Sequence, residues 1–271
     1  MSPPLPKAAG AIDAVWRIES ARLIAGLARM VGDVGLAEDF AQDALVAALE
    51  QWPESGIPDN PGAWLMATAK RGAIDHLRRR KMQDTKHELL GRELDEGQGS
   101  PEEQFAESLD DQVGDNMLSL IFTACHPVLT TEARVALTLR LLGGLTTDEI
   151  ARAFLVPKAT IQQRIVRAKR TLAAAHVPFE VPRGTELAAR LESVLEVIYL
   201  IFNEGYSATA GTDWVRPALC EGALRLGRIL AGLAPDQPEV HGLVALMELQ
   251  ASRIRARVSP TGDPILLPDQ D

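Results

Sequence analysis

The chain has 271 residues, of which 46% are hydrophobic but only 4% aromatic, and a formal net charge of −9. This length allows a sizeable core spread over two or three small domains, and the dominance of alanine and leucine over aromatics points to an all-α fold. The longest apolar run, Val197 to Phe202, is far short of a membrane span, and the proline-containing first ten residues lack the apolar core of a signal peptide, so a cytoplasmic protein without membrane contact is expected.

Taken in chain order, the first clear element is a helix over Ala37 to Trp52. Asp39, Gln42 and Asp43 fall at i, i+3, i+4 and share one polar face, while Phe40, Ala44, Leu45 and Ala48 can turn inward. Spacing alone makes that polar face a solvated one. Pro53 to Asn60, with Gly56 and two prolines, is too polar and broken to be core and reads as a loop. After Pro61 a second helix is expected, with Trp64 near its start and Ala63, Met66, Ala67, Ala73, Ile74 and Leu77 on its buried side. Its second half carries Lys70, Arg71, Arg78, Arg79, Arg80 and Lys81 against Asp75 alone. Basic residues in a last turn suit the helix macrodipole, but four in succession exceed that need.

Residues 83–115 then hold eleven acids against Lys86 and Arg92, a net of −9, so the rest of the chain is neutral. With the GQGSP string at Gly97 to Pro101, the segment 83–112 reads as an acidic flexible linker: by default a solvated tether, in a sharper reading a competitor with DNA for the basic helices.

The stretch 143–170, GGLTTDEIARAFLVPKATIQQRIVRAKR, has helix-turn-helix spacing. Thr146 and Glu149 form a capping box that starts a helix whose apolar face is Ile150, Ala151 and Phe154. Pro157 opens a second helix after Leu155 and Val156; Leu155 stands near the place where many such turns have glycine. In that second helix, about Lys158 to Ala174, Ile161, Ile165 and Ala168 face the core. Lys158, Thr160, Gln162, Gln163, Arg164, Arg167, Lys169 and Arg170 are left for solvent or a DNA groove. Gln163 and Arg164 are the expected base readers, and Arg167, Lys169 and Arg170 the phosphate contacts.

Beyond Val177, Leu191, Val194, Leu195, Ile198 and Phe202 follow helical spacing, with Asn203 to Gly205 expected to stop the helix. Leu219, Ala223, Leu226, Leu230 and Leu233 mark another helix, and Val240, Leu243, Met247 and Ile254 a third. Asn203, Glu204 and Tyr206 suggest either a helix-ending turn with a packed tyrosine or a ligand pocket. Cys125 and Cys220 stand singly and predict buried reduced thiols, with no metal site and no cofactor. No glycine-rich phosphate loop, nucleophile motif or metal-spaced His or Cys set occurs, so no enzyme is expected.

WLMATAKRGAIDHLRRRK at Trp64 to Lys81 resembles the promoter-reading helix of bacterial σ factors of the extracytoplasmic-function group in the σ-70 family, with Arg71 where the family often has Asn. AEDFAQDALVAALEQW at Ala37 to Trp52 resembles the helix that precedes it. The resemblance implies a region 2 type domain over 10–82, the linker 83–112, a region 4 type helix-turn-helix domain over 113–177, and a C-terminal helical extension over 178–271. It further implies that Asp39, Gln42 and Asp43 dock on the β′ clamp helices of core RNA polymerase and that the β subunit is a further contact. The basic end of the second helix would read the minus-ten element, a loop with Glu54, Ser55, Asp59 and Asn60 would receive a flipped base, and the helix-turn-helix would read the minus-thirty-five element. The extension, including YLIFNEGY at Tyr199 to Tyr206, is similar to that of one subgroup whose members run on into tetratricopeptide-like repeats, which implies a truncated form here. By analogy it regulates the σ activity within the chain, or does so with an unidentified partner. The alternative is a one-component helix-turn-helix regulator whose C-terminal helices sense a ligand.

Overall fold

The computed structural model describes residues 6–88, 113–207 and 215–257, together with Ser259, Ile265 and Gln270. Every regular element among the described residues is a helix, in line with the all-α expectation. None of these helices is long and apolar enough to cross a membrane. The chain divides into two compact units, Met1–Met117 and Leu118–Asp271.

The first unit is built from α1 (Pro6–Val31), α2 (Val34–Ser55) and α3 (Pro61–Glu88). Gly32, at φ 69°, ends α1, and the Asp33 carboxylate accepts the Leu36 N–H at 3.0 Å to start α2. The core-facing side of α2 is a row of alanines, Ala37, Ala41, Ala44 and Ala48, all essentially inaccessible. Side chains that small let α1 and α3 pack against α2 at close range, with Ile24, Leu27 and Leu65 filling the space between.

Two expectations change here. The helix after Pro61 buries Leu65, Ala69 and Ala73, an i, i+4, i+8 stripe, whereas Ala63 and Ala67 are exposed. Alanine carries too weak an apolar signal to fix which side of a helix turns inward. The same helix runs on to Glu88, so residues 83–88 of the expected linker are helical, and 89–112 lie outside the described residues.

The second unit holds the part of α4 (Val113–Ala124) from Leu118 onward, α5 (Thr131–Leu141), α6 (Thr147–Ala153) and α7 (Lys158–Ala174), then α8 (Thr185–Tyr206), α9 (Pro217–Leu233), α10 (Pro238–Ala251) and the short α11 (Ile254–Arg257). Helices α5, α6 and α7 pack on one another, and α8, α9 and α10 form a second layer, with α8 lying against α5.

Polar ties join the two layers. The Arg190 guanidinium donates to the Phe122 carbonyl at 2.8 Å, and the Ser193 hydroxyl to the Cys125 carbonyl at 2.6 Å. Arg134 donates to Ser193 and pairs with Glu196 at 3.0 Å. Arg225 donates to the carbonyls of Leu142 and Gly143 at 2.8 and 3.1 Å. These carbonyls end α4 and α5, where the helix leaves acceptors without intrahelical partners, so the extension supplies C-terminal caps to the helices before it.

Candidate nucleic-acid interface

The helix-turn-helix forms as its residues dictate. Thr146 and Glu149 make both halves of the capping box: the Thr146 N–H donates to the Glu149 carboxylate at 2.8 Å, and the Glu149 N–H donates to the Thr146 hydroxyl at 3.2 Å. Ile150 and Ala151 of α6 and Ile161, Ile165, Ala168 and Leu172 of α7 are buried between the helices. The turn passes through Leu155 at φ 50°, a left-handed conformation that favours glycine. Leu155 is also 51% exposed, so its side chain contributes little packing in return.

On the outward side of α7, Lys158, Gln162, Gln163, Arg167 and Arg170 are exposed, with Thr160 and Lys169 half-buried at the flanks. Lys158 is held across the turn by Asp148 at 2.6 Å, an exposed pair that a phosphate can displace at small cost. Arg164 is not part of this stripe. It lies i+3 from Ile161 and i−4 from Ala168, on the flank of the buried side, and lines a cavity of about 220 Å³ with Glu132, Phe154, Leu200, Asn203 and Glu204. The Glu132 carboxyl is held below its usual range by its own backbone N–H and the Thr130 hydroxyl, and the Arg164 charge adds to this. The geometry therefore turns Arg164 toward α5 and α8, away from the centre of the exposed stripe, whereas the sequence predicts a base reader at this position.

Among the exposed residues of that stripe is Val166, a large apolar side chain 46% exposed. An apolar residue in an amphipathic helix reads as core-facing. The signal was available: Val166 is i+4 from Gln162, i+3 from Gln163 and i−4 from Arg170.

In the first unit, Asp39 and Asp43 are exposed and Gln42 half-buried, with the Gln42 amide donating to Glu38 at 2.7 Å. Exposed Val46 and Leu49 continue this face along α2, so it is acidic at one end and apolar at the other. Spacing does not point to either, since apolar residues on an amphipathic helix read as inward-facing. Along α3, Lys70 is half-buried and Arg71, Arg78 and Arg79 are exposed; the side chains of Arg80 and Lys81 lie outside the described ones.

The expected loop 53–60 is shorter than its sequence suggested. α2 continues through Pro53 to Ser55, and Gly56 at φ 84° ends it, its N–H donating to the Trp52 carbonyl. Ser55 donates back to the Gln51 carbonyl at 2.9 Å, and the Asn60 side chain accepts the Ala63 N–H at 3.0 Å, capping α3. Both therefore hold helix ends. Glu54 and Asp59 are exposed, and the Trp52 and Trp64 rings meet edge to face at 5.2 Å beneath this corner.

Asn203 to Gly205 do not stop a helix, for α8 runs to Tyr206. Glu204 pairs with Arg216, both side chains about nine-tenths buried. Gly205 is pressed against α9 so closely that a Cβ would lie 2.7 Å from the Cys220 backbone nitrogen. Tyr206 stacks on Phe202, and the Arg257 guanidinium lies 3.9 Å from the centre of its ring. Three of the four residues in this string thus join α8 to α9 and α11, while Asn203 faces the cavity beside Arg164. Cys125 and Cys220 are buried and free, and burial pushes both thiols up to about 11.

Comparison with known proteins bears on the same segments. Residues 18–82 match the family model for σ-70 region 2, residues 119–172 that for σ-70 region 4, and residues 190–271 a family of unknown function, DUF6596. The ferric citrate uptake sigma factor FecI of Escherichia coli is 30% identical over 132 residues, which cover 49% of this chain and 71% of FecI. The chain belongs to the extracytoplasmic-function group of σ-70 factors.

The probable ECF RNA polymerase sigma factor SigI of Mycobacterium tuberculosis is also 30% identical, over 59% of this chain and 54% of SigI. The uncharacterized protein R00370 of Rhizobium meliloti is 43% identical over 90% of this chain and 57% of its own length, so the chain spans little more than half of these two relatives. No solved structure matches. The region 2 match ends within α3, the region 4 match ends within α7, and the DUF6596 match begins at Arg190, whose guanidinium donates to the Phe122 carbonyl.

Proposed function

We propose that the chain is a promoter-specificity subunit that attaches to core RNA polymerase, directs it to promoters and has no catalysis of its own. The observation that carries this is the pairing of a region 2 unit with an acidic and apolar α2 face and a region 4 helix-turn-helix whose exposed stripe holds two glutamines and two arginines. In this reading Asp39, Asp43, Val46 and Leu49 dock on the β′ clamp helices, the acids meeting a basic surface and the apolar pair forming the desolvated centre of the contact. Lys70, Arg71, Arg78, Arg79 and Arg80 attend the minus-ten element. Glu54 and Asp59 stand free for a flipped base, and Ser55 and Asn60 shape the corner that presents them.

Helix α7 reads the minus-thirty-five element, with Gln162 and Gln163 toward base edges and Arg167, Lys169 and Arg170 toward phosphates. Arg164 acts at the junction with α8. The extension serves as the second layer of the region 4 domain and leaves the outward stripe of α7 open, which favours control through stability and partner contact over a plug on the DNA face. The test is co-elution of the full chain with σ-free core polymerase on a sizing column. Asp43→Arg combined with Leu49→Asp should abolish co-elution without unfolding the chain, and retention of binding by that variant would overturn the docking face.

A further inference from the structure

Nothing in folding accounts for Val166. A β-branched residue is a poorer helix former than the Ala, Gln, Lys and Arg that fill most of the exposed positions of α7, and an isopropyl group facing water gains nothing from burial. Its neighbours give the position a different meaning. Gln162, Gln163 and Arg170 surround it on the exposed stripe, while Ile161, Ile165, Ala168 and Leu172 hold the opposite side of the helix against the core. With that stripe in a major groove, donors flank Val166 and its own methyl groups face the base edges. Among the major-groove edges of the four bases, one feature is apolar: the thymine 5-methyl group.

We propose that Val166 is a specificity-determining residue that reads a thymine in the minus-thirty-five element through its 5-methyl group. The inference rests on the σ-factor function above. Contact between the two apolar groups removes both from water, and burial of one methyl-sized group corresponds to about fourfold in affinity. The contact complements the glutamines, whose paired hydrogen bonds suit adenine, so the element should combine adenine and thymine at neighbouring steps.

The full chain assembled with core RNA polymerase first selects its upstream element from a randomised duplex pool. Each thymine of the selected element is then replaced singly by deoxyuridine, which lacks only the 5-methyl group. The wild-type complex is expected to lose about fourfold at one position, and Val166→Ala to bind thymine and deoxyuridine equally there. Alanine is the better helix former at this exposed site, so that variant keeps its fold. An equal loss in the variant would assign the methyl to another side chain, such as exposed Ala159 one residue into α7, and would overturn the proposal. So would an element without thymine, or one indifferent to deoxyuridine at every position. A pool from which the complex enriches no sequence would instead bring down the σ-factor function itself, and this inference with it.

Discussion

Leu155 and Gly205 are two places where one side chain decides whether a local geometry is easy or strained. Leu155 holds φ 50° while half exposed, so Leu155→Gly should raise the stability of the second unit by about 0.5–1 kcal/mol in urea unfolding, strain relief outweighing the extra freedom of the unfolded chain. Gly205 is the reverse case. Gly205→Ala would push a Cβ to 2.7 Å from the Cys220 nitrogen and 2.8 Å from its sulfur, and should cost about 1–3 kcal/mol, visible as a lower midpoint in thermal unfolding. Removing one member of the buried Glu204 and Arg216 pair, as in Arg216→Met, takes a charge partner from a carboxylate that stays buried and should cost about 3–5 kcal/mol by the same measurement. The two thiols, raised to about 11, contribute stability that is complete below their ordinary value of 9.0 and is lost as pH rises from there toward 11, because the folded state then holds protons that the unfolded state has released. Below pH 9 a thiol reagent should modify them only as fast as the unit opens, and rapid modification of the folded chain would contradict their burial.

At the scale of elements, the helix-turn-helix was legible because four independent local signals agree: a capping box, an apolar stripe, a proline-led turn and a basic second helix. The structure repeats each of them. Thr146→Ala should therefore cost about 1 kcal/mol and weaken duplex binding in proportion to the unfolded fraction. The orientation of Arg164 was not legible, since α7 alone leaves it at the border of the buried stripe and only α5 and α8 decide which way it turns. Likewise Gly205 resembled a helix stop, because a sequence distinguishes poorly between a glycine that frees the backbone and one that admits a neighbouring helix. Arg167→Ala and Arg170→Ala should each lower affinity on all duplexes and reduce the salt dependence of binding by about one unit of log–log slope. Gln163→Ala should instead relax selectivity at one position, and an equal loss on every sequence would reassign it to phosphate contact.

For the molecule as a whole, the extension and the helix-turn-helix share one compact unit in which Arg190, Ser193 and Arg225 cap the carbonyl ends of the helices before them. Ending the chain at Val177 should uncover the apolar face of α5 and leave those carbonyls to water. The shortened protein is then expected to unfold at lower denaturant than the full chain, and equal midpoints would make the extension an independent attachment. The region 2 and region 4 matches fall on separate units, and the proposed function assigns one promoter element to each. The most direct test of that account is transcription by σ-free core polymerase on templates carrying the selected elements, with and without the full chain. Discrete transcripts from fixed start sites that require the chain, and vanish when either element is scrambled, are the expected result. Sequence-specific DNA binding by the chain alone, with transcription unchanged by its addition, would contradict it and favour a ligand-sensing regulator.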